Sequence, residues 1–538
     1  MLRVTHTENH TPILPANNAA PKRRSLIELG LLAMLTNLFG RRERPLLVLV
    51  GTYGEKLPHV HGKGEGVYAL LLDRRQLTPL GGRFHGVGQL RAARNPSWVT
   101  SWRDGTTGQL YCYVADERTD TGLIFAAHVN ETTGELTQLG APVSAGGSGT
   151  CHIAVAPGGR HVLAANYGSG SVAVVERDAS GALGKRAALI QLPPKGVEVD
   201  TPIGKCELYI RFPRTHAARQ EAPHAHQLVF SRRRPTELTA VGEEAYAVLV
   251  PDLGSDIVWA FDYEPSTSGV LLPAAATAIH AGVLDGGGSR HVALHPDPRL
   301  RVAYVAYELT SQVAAYAVDP SSGQPTGTPL PPGPVCALDV GASAATPAGL
   351  SSAFGPAAAA ARLRCVGLVR RGGGGAARCS DDETSLAAIR VTASGSHVIL
   401  SSRVAGADGV LSALLLDKRG RLVASSDARP AGLASSLGRS PRDFVLVPLP
   451  GAPSGQVALV ANQDSGTIVA LPLAGGGQAR CVADVPTPVC LCLTPEDAEP
   501  AHGAAAAGGG RAPLFFASAV VVVAVATAAA LALRAYRK

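Results

Sequence analysis

Histidines stand at equivalent positions of a unit that repeats along this sequence, and histidine exchanges protons near neutral pH. The residue that enters the first strand of successive units is Ser97, His152, His226, His291 or Asp443. When such side chains meet arginines and carboxylates, the group can polarise a carbonyl, activate water and hold an anionic substrate. The histidine pattern therefore predicts a proton-transfer site.

Arginines and acids occupy two further positions of the same unit. The residue before the first strand is Cys151, Ala225, Arg290 or Arg442. The residue after the second strand is Tyr53, Glu117, Tyr167, Glu308, Arg403 or Gln463. The arginine guanidinium binds carboxylate or phosphate through its planar fork. We expect these residues to converge from different units on one channel.

Other kinds of site have less support. Three histidines could indicate zinc, but their spacings are those between units, and no H-E-x-x-H or C-x-x-C motif is present. The nine cysteines are irregularly spaced and form no disulfide framework. No G-x-S-x-G elbow, P-loop or dinucleotide fingerprint occurs. The prediction is chemistry without a metal or cofactor.

The elements that must position these side chains recur about every 45 residues. Each unit has a short strand, a turn, a second strand that ends in a polar residue, and a third strand. In one clear copy we predict strands over Ile153–Ala156, His161–Ala165 and Ser171–Glu176. Five further full copies cover 95–130, 224–264, 290–319, 389–417 and 442–473.

A seventh copy is split between the two ends of the repeat region. Residues 45–73 lack a first strand, and residues 487–493 supply one. Pairing these segments closes a ring and removes an exposed sheet edge. The sequence therefore predicts an all-β, seven-bladed β-propeller with terminal strand closure over 45–495. We interpret 186–222 and 329–388 as surface insertions. The alternative is that they form part of the pocket, which we consider more for 186–222 than for 329–388.

The two ends of the chain differ from the repeats. Residues 1–44 contain a short apolar or targeting helix, and 496–513 resemble a flexible tether. Residues 514–533 carry no charge and are long enough to cross a membrane, with a basic tail at 534–538. We expect a single-pass C-terminal anchor and a cytosolic propeller. The net charge of +7 forms no basic stripe, which excludes a clear nucleic-acid site.

Several segments together resemble a known family. GTCHIAVAPGGRHVLAANYGSGSVAV, SRHVALHP and SPRDFVLV are similar to segments of the lactonase family of seven-bladed propellers, over roughly residues 45–493. That family contains 6-phosphogluconolactonases and carboxy-cis,cis-muconate cyclases. The resemblance implies cofactor-free lactone chemistry. It also implies an active-site histidine at His152 and an arginine at Arg290, and it adds Arg219, which matches a recurrent family segment.

Two classes of function remain open from the sequence. The first is hydrolysis of a sugar lactone such as 6-phosphogluconolactone. In that scheme His152 acts as general base, Glu308 orients a partner, and Arg290 with Arg403 or Arg442 stabilises the oxyanion or holds the phosphate. The muconate-type cyclase is the nearest enzymatic alternative. The second class is a non-catalytic, membrane-tethered interaction propeller, because fold alone does not give function.

Overall fold

Short strands rich in Val, Ala, Leu and Tyr pair into seven antiparallel sheets, which we number as blades 1 to 7 in chain order of their second strands. The computed structural model describes residues 44–80, 88–193, 197–201, 204–208, 218–233, 245–263, 272–280, 286–320, 325–329, 335–336, 366–368, 377–378, 384–423, 432–449, 452, 455–473 and 478–497.

Each blade runs from an inner to an outer strand. Blade 1 contains Pro488–Leu493, Leu46–Thr52 and Tyr68–Leu72; blade 2 contains Pro96–Arg103, Leu110–Asp116, Leu123–Val129 and Leu136–Gln138, with Val143–Ser144 also on its third strand. Blade 3 contains Thr150–Val155, His161–Asn166, Ser171–Arg177 and Leu183–Gln191; blade 4 contains Val229–Arg233, Ala245–Asp252, Ile257–Tyr263 and Leu272–His280.

Blades 5 to 7 have the same order. Blade 5 contains Ser289–Leu294, Val302–Tyr307, Gln312–Val318 and Pro325–Pro329, and the short strand Val335–Cys336 also pairs with its third strand. Blade 6 contains Thr384–Val391, His397–Val404, Val410–Leu415 and Gly432–Ser435. Blade 7 contains Pro441–Pro448, Gln456–Asn462, Thr467–Pro472 and Arg480–Asp484. Three separate hairpins pair Lys56–Leu57 with Val60–His61, Val197–Thr201 with Gly204–Leu208, and Val366–Leu368 with Ala377–Arg378.

The apolar core consists of one cluster between each pair of neighbouring blades. In blade 3, Leu163 and Ala165 pack toward blade 4, whereas Val162 and Ala164 pack toward blade 2. This alternation follows from the two-residue period of a strand. Another cluster joins blade 7 to blade 1 through residues such as Leu459 and Leu46. Because the clusters link every blade to the next and the last to the first, the sheets form a closed ring.

The predicted closure between the two ends of the repeat region is confirmed. Val48 pairs with Leu493 and Gly51 with Cys490 across the joining strands. A Cβ atom on Gly51 would lie 2.3 Å from the Pro96 carbonyl oxygen, so this close approach requires glycine. The sequence prediction of a seven-bladed, all-β propeller is therefore correct.

Both segments predicted as insertions contain strands. Residues 186–191 belong to the outer strand of blade 3, and residues 197–208 include a hairpin. The inner strand of blade 6 begins at Thr384 rather than at Ile389, so residues 384–388 also belong to the propeller. A register irregularity between Leu386 and Ile389 explains why the alternation of this strand is hard to recognise in the sequence.

The predictions for the two ends fall outside the described residues. These predictions are the N-terminal helix, the tether beyond Asp497, the anchor at 514–533 and the basic tail. Within the described ranges, no helix has the length and apolar character needed to cross a membrane.

Candidate active site

A repeated β-bulge determines which side chains reach the site. In blade 5, Ser289 pairs with Tyr307 and His291 pairs with Ala306, so Arg290 is an extra residue on the inner strand. The same surplus makes Ser97, Cys151 and Arg442 the extra residues of blades 2, 3 and 7. A bulge of this kind redirects a side chain and interrupts the normal alternation of faces.

The bulges correct two alignments of the repeats. The repeats predict that Ser97 occupies the position of His152, but the register makes Trp98 the equivalent of His152 and Ser97 the equivalent of Cys151. Blade 4 has the same one-residue surplus between the pairs Ala225–Asp252 and Val229–Leu249, and His226 directly follows Ala225. His226 is therefore the equivalent of Cys151 and Arg290, not of His152. Periodicity alone could not show this, because a bulge shifts the register by one residue without a fixed sequence signature.

Glu308 is the centre of a cluster of three arginines from three segments of the chain. Its Oε1 lies 3.0 Å from Arg219 Nη2 and 2.8 Å from Arg403 Nη2, and its Oε2 lies 2.9 Å from Arg290 Nε. The side chains of Glu308 and Arg290 are both only 3% exposed. Three of the residues predicted from the repeats, Arg290, Glu308 and Arg403, therefore meet here, together with Arg219.

The arginines determine the charge state of this carboxylate. Burial alone would raise the pKa of Glu308, but Arg403, Arg219 and Arg290 hold that pKa well below its ordinary value. Burial lowers the pKa of Arg290 to about 10, which leaves its guanidinium protonated at neutral pH. The cluster thus carries three positive charges and one negative charge, and the excess is positive. Glu308 is suited to orienting arginines rather than to donating a proton.

A second group of polar side chains, which we call the Tyr53 group, joins blades 1, 2 and 7. The Tyr53 hydroxyl donates to Glu117 Oε2 at 2.7 Å and accepts from Arg442 Nη2 at 2.9 Å. Arg442 Nη1 donates to Gln463 Oε1 at 3.3 Å, and the Arg442 guanidinium lies 5.2 Å from the centre of the Tyr53 ring. Burial raises the pKa of Tyr53 well above its ordinary value, so this hydroxyl keeps its proton.

The three predicted histidines form an aromatic layer next to the arginines. The His291 ring centre lies 5.4 Å from that of His226 and 6.4 Å from that of His152. His152 also packs on Trp98, with ring centres 4.2 Å apart. Arg290 Nη1 lies 3.1 Å from His291 Nε2 and must be the donor, because a guanidinium has no acceptor. This contact therefore favours a neutral His291 that accepts from Arg290.

All three histidines are neutral at physiological pH. Burial, with the charges of Arg390 and Arg290, lowers the pKa of His152 to about 3. Burial and the charge of Arg290 also lower the pKa values of His226 and His291 well below the ordinary value. Neutral imidazoles can accept a proton, but such low pKa values make them weak bases until an anion reaches the site.

His226 is connected to the arginine cluster more directly than His152. Its ring centre lies 5.5 Å from that of Tyr167, whose hydroxyl accepts a hydrogen bond from Arg219 Nε at 3.2 Å. His226 Nδ1 also lies 3.9 Å from Cys151 Sγ. By contrast, the ring contacts of His152 are with Trp98 and His291, and its Nδ1 has no hydrogen-bond partner among the described residues.

Some participants in these contacts occupy a repeated position to which the sequence assigned no role. Tyr53, Glu117 and Tyr167 follow the second strands of blades 1, 2 and 3, the position also held by Glu308, and that shared position was the available signal. His59 and Trp98 carried no such signal. Among the described residues, no three His, Cys, Asp or Glu side chains are arranged to hold a metal ion. Metal-free chemistry remains a prediction.

Comparison with known proteins places the sequence of this chain in a family. The sequence matches the family described as lactonase, 7-bladed beta-propeller, over residues 47–328 and 369–494, which is more than half of the chain. The chain belongs to this lactonase family. A 6-phosphogluconolactonase from Bacillus subtilis is 27% identical over 278 residues, covering 51% of this chain and 63% of that relative. The matched part thus spans less than two thirds of that relative's length.

Solved structures share the architecture of this lactonase-family chain. The periplasmic gluconolactonase of Pseudomonas aeruginosa aligns with a TM-score of 0.54 and 20% identity, covering 84% of this chain and 99% of that one. A protein from Lactobacillus plantarum aligns with a TM-score of 0.55 and 23% identity, covering 84% and 99%. At these identities the likeness shows the fold alone.

Proposed function

We propose that this protein hydrolyses a sugar lactone that carries an anionic group, with 6-phosphogluconolactone as the first candidate. The observation that supports this proposal is the convergence of Arg219, Arg290 and Arg403 on the single carboxylate of Glu308, with Arg442 in the neighbouring Tyr53 group. This excess positive charge favours an anionic substrate. Family membership and the similarity to the Bacillus subtilis 6-phosphogluconolactonase support the reaction class.

The arginines can stabilise the charge that develops on the lactone carbonyl. Attack by water at this carbon forms a tetrahedral oxyanion, and preorganised donors stabilise it more than they stabilise the ground state. Arg403 Nε is buried and has no hydrogen-bond partner among the described residues. Glu308 holds the Arg403 and Arg290 guanidiniums in place. We assign Arg403 and Arg290 to the oxyanion, and Glu308 to their positioning.

The general base has two candidates. The family resemblance favours His152, and the geometry favours His226, because its ring packs against Tyr167, whose hydroxyl accepts a hydrogen bond from Arg219. A neutral imidazole would take a proton from water as water attacks the carbonyl carbon, and would return the proton to the ring oxygen as the C–O bond breaks. Atoms and charges balance without a cofactor.

The phosphate of such a substrate would bind at the Tyr53 group. Among the described residues, the hydrogen bonds of Arg442 go to neutral partners, the Tyr53 hydroxyl and the Gln463 side chain, so its charge is not neutralised by a direct carboxylate contact. The substrate of a carboxy-cis,cis-muconate cyclase carries several carboxylates, and the same positive charge would suit it. The arginine excess gives no comparable support to a non-catalytic platform.

The test is hydrolysis of 6-phosphogluconolactone by the full-length protein in detergent, measured above the spontaneous background. We expect the wild-type protein to hydrolyse the lactone. Arg290→Ala should lower the turnover rate at least about tenfold. One of His152→Ala and His226→Ala should lower it equally, and that variant identifies the general base. Circular dichroism would establish that each variant is folded. The absence of activity above background in the wild-type protein would refute the proposal, and cyclisation of carboxy-muconate would then support the cyclase.

We also propose that residues 514–533 anchor the protein in a membrane with the propeller in the cytosol. This rests on the sequence alone: 20 residues without a charge, preceded by Arg511 and followed by Arg534, Arg537 and Lys538. In a membrane fraction washed with alkaline carbonate, the full chain should stay with the membrane. A variant ending at residue 500 should be released. Release of both would disprove the anchor.

A further inference from the structure

A short hairpin next to the Tyr53 group has no role in the mechanism above. It pairs Lys56–Leu57 with Val60–His61, and Pro58 and His59 form its turn. Val60 is buried in a small cluster with Tyr53 and Val489. The Gly64 amide donates to the Tyr53 carbonyl at 2.8 Å, and the Lys63 amide donates to Thr487 Oγ1 at 3.0 Å. The hairpin is therefore fixed to the inner strands of blade 1.

This attachment places His59 beside Tyr53. The two ring centres lie 5.3 Å apart with an interplanar angle of 79°, while the Arg442 guanidinium lies 5.2 Å from the same Tyr53 ring. His59 is nevertheless exposed, whereas Tyr53 is fully buried. His59 thus lies on the solvent side of the Tyr53 group, where a substrate that reaches Arg442 would pass.

Charged groups from four segments of the chain act on His59. Partial desolvation of the imidazole by the surrounding protein lowers the pKa of His59 to about 4, together with the positive charges of Arg442, Arg403 and Arg219. The charge of Glu308 opposes this shift. Without an anion the imidazole is therefore neutral at pH 7. An anion placed between His59 and Arg442 would offset the charges of the arginines, raise the pKa of His59 and favour the imidazolium.

We propose that His59 is a specificity-determining ligand for the substrate's phosphate, and that it takes up one proton from solvent when the phosphate binds between it and Arg442. This inference rests on the proposed function. The imidazolium would donate one charge-assisted hydrogen bond to a phosphate oxygen, opposite the bonds from Arg442. A lactone without phosphate would gain nothing from His59. The hairpin would therefore select phosphorylated over unphosphorylated sugar lactones.

The affinity that His59 contributes should depend on pH in a defined direction. Because the pKa of His59 is higher in the complex than in the free protein, affinity contributed by His59 is greatest at low pH and is lost as pH rises through the pKa of the complex. The phosphate of the ligand also titrates, with a second pKa of about 6, so binding changes its protonation as well. Proton uptake must therefore be compared with that of a variant in which His59 cannot titrate.

The experiment is titration calorimetry of the full-length protein in detergent with 6-phosphogluconate, the stable product, at pH 6.5 in buffers of different ionisation enthalpy. The comparison is His59→Gln, with the exposed His61→Gln on the same hairpin as matched control. We expect His59→Gln to weaken binding about tenfold and to reduce proton uptake. His61→Gln should match the wild type. Binding of gluconate should be equal in all three proteins.

The outcomes separate this inference from the proposed function. If the wild type and His59→Gln bind 6-phosphogluconate equally and take up the same number of protons, the role of His59 is disproved while the lactonase proposal stands. If His61→Gln behaves like His59→Gln, the effect belongs to the hairpin and the specific role is disproved. If the wild type binds no 6-phosphogluconate and hydrolyses no 6-phosphogluconolactone, both proposals fail.

Discussion

Arg290 Nε lies 2.9 Å from Glu308 Oε2, and these two residues lie at the same end of one antiparallel strand pair in blade 5. Arg290 is the bulge residue of the inner strand, and Glu308 follows the second strand. The bulge turns the arginine toward the acid, and the ion pair then becomes the point on which Arg219 and Arg403 converge. A local backbone irregularity thus organises charges from separate parts of the ring.

Removing the charge of Glu308 should disrupt this cluster. In Glu308→Gln, three guanidiniums lose their common counterion, two of them in largely buried positions. Breaking a buried pair on one side typically costs about 3 kcal/mol or more in the free energy of unfolding. We expect that loss in a urea denaturation experiment, with at least a tenfold fall in kcat/KM for the lactone.

The control for this variant is Glu65→Gln. Glu65 forms an ion pair with Arg91 at 3.0 Å, but both side chains are about 60% exposed. Such surface pairs contribute less than about 1 kcal/mol. Equal destabilisation by the two substitutions would contradict the central role of Glu308.

The buried histidines should make the protein acid-sensitive. Their pKa values are lower in the folded than in the unfolded state, to about 3 for His152. The unfolded chain therefore binds more protons below its own histidine pKa of about 6.5, and stability is lost as pH falls through that value. Each such histidine contributes a slope of about 1.4 kcal/mol per pH unit. We expect His152→Gln to reduce the slope measured by urea denaturation between pH 6 and 5 by about that amount. An unchanged slope would mean that His152 is not a buried neutral group.

Arg442 should determine the preference for a phosphorylated substrate. Its guanidinium lies in the Tyr53 group, away from the direct partners of Glu308. We expect Arg442→Ala to raise KM for 6-phosphogluconolactone about tenfold or more, because a charged hydrogen bond is worth about 1.5–3 kcal/mol. Turnover of gluconolactone should change little. Arg299→Ala provides a control, since Arg299 is an exposed arginine paired with Asp297. Equal losses on both lactones would place Arg442 in the reacting centre instead.

The closure of the ring should depend on Gly51. Its missing Cβ leaves room for the Pro96 carbonyl oxygen and for Cys490 Sγ, which would lie 2.3 and 2.6 Å from that atom. Gly51→Ala should therefore separate blades 1 and 2 and lower the thermal midpoint. Overpacking of this kind costs about 1–3 kcal/mol. Gly108→Ala is the comparison: its Cβ would meet nothing within 4 Å, although its φ is +72°. A smaller effect at Gly51 than at Gly108 would contradict the close-approach argument.

The sequence by itself was sufficient to predict the seven-bladed ring. Repeats near 45 residues set the blades, and the copy divided between residues 45–73 and 487–493 required closure. These features are visible because strand alternation and turn chemistry are local properties of the chain. The same repetition identified Arg290 and Arg442 at one repeated position and Glu308 and Arg403 at another. The catalytic and binding roles of these residues remain predictions.

Tertiary structure decided which of these side chains contact one another. Bulges make Arg290, Arg442 and Cys151 extra residues of their inner strands. The bulge at Ser97 makes Trp98, rather than Ser97, the equivalent of His152. The contact of His59 with Tyr53 depends on the packing of Val60 against Val489, which is more than 400 residues away in the chain. Repeat spacing gives the order of the blades, whereas the register of each strand and the protonation of a buried group depend on neighbours that only the closed ring brings together.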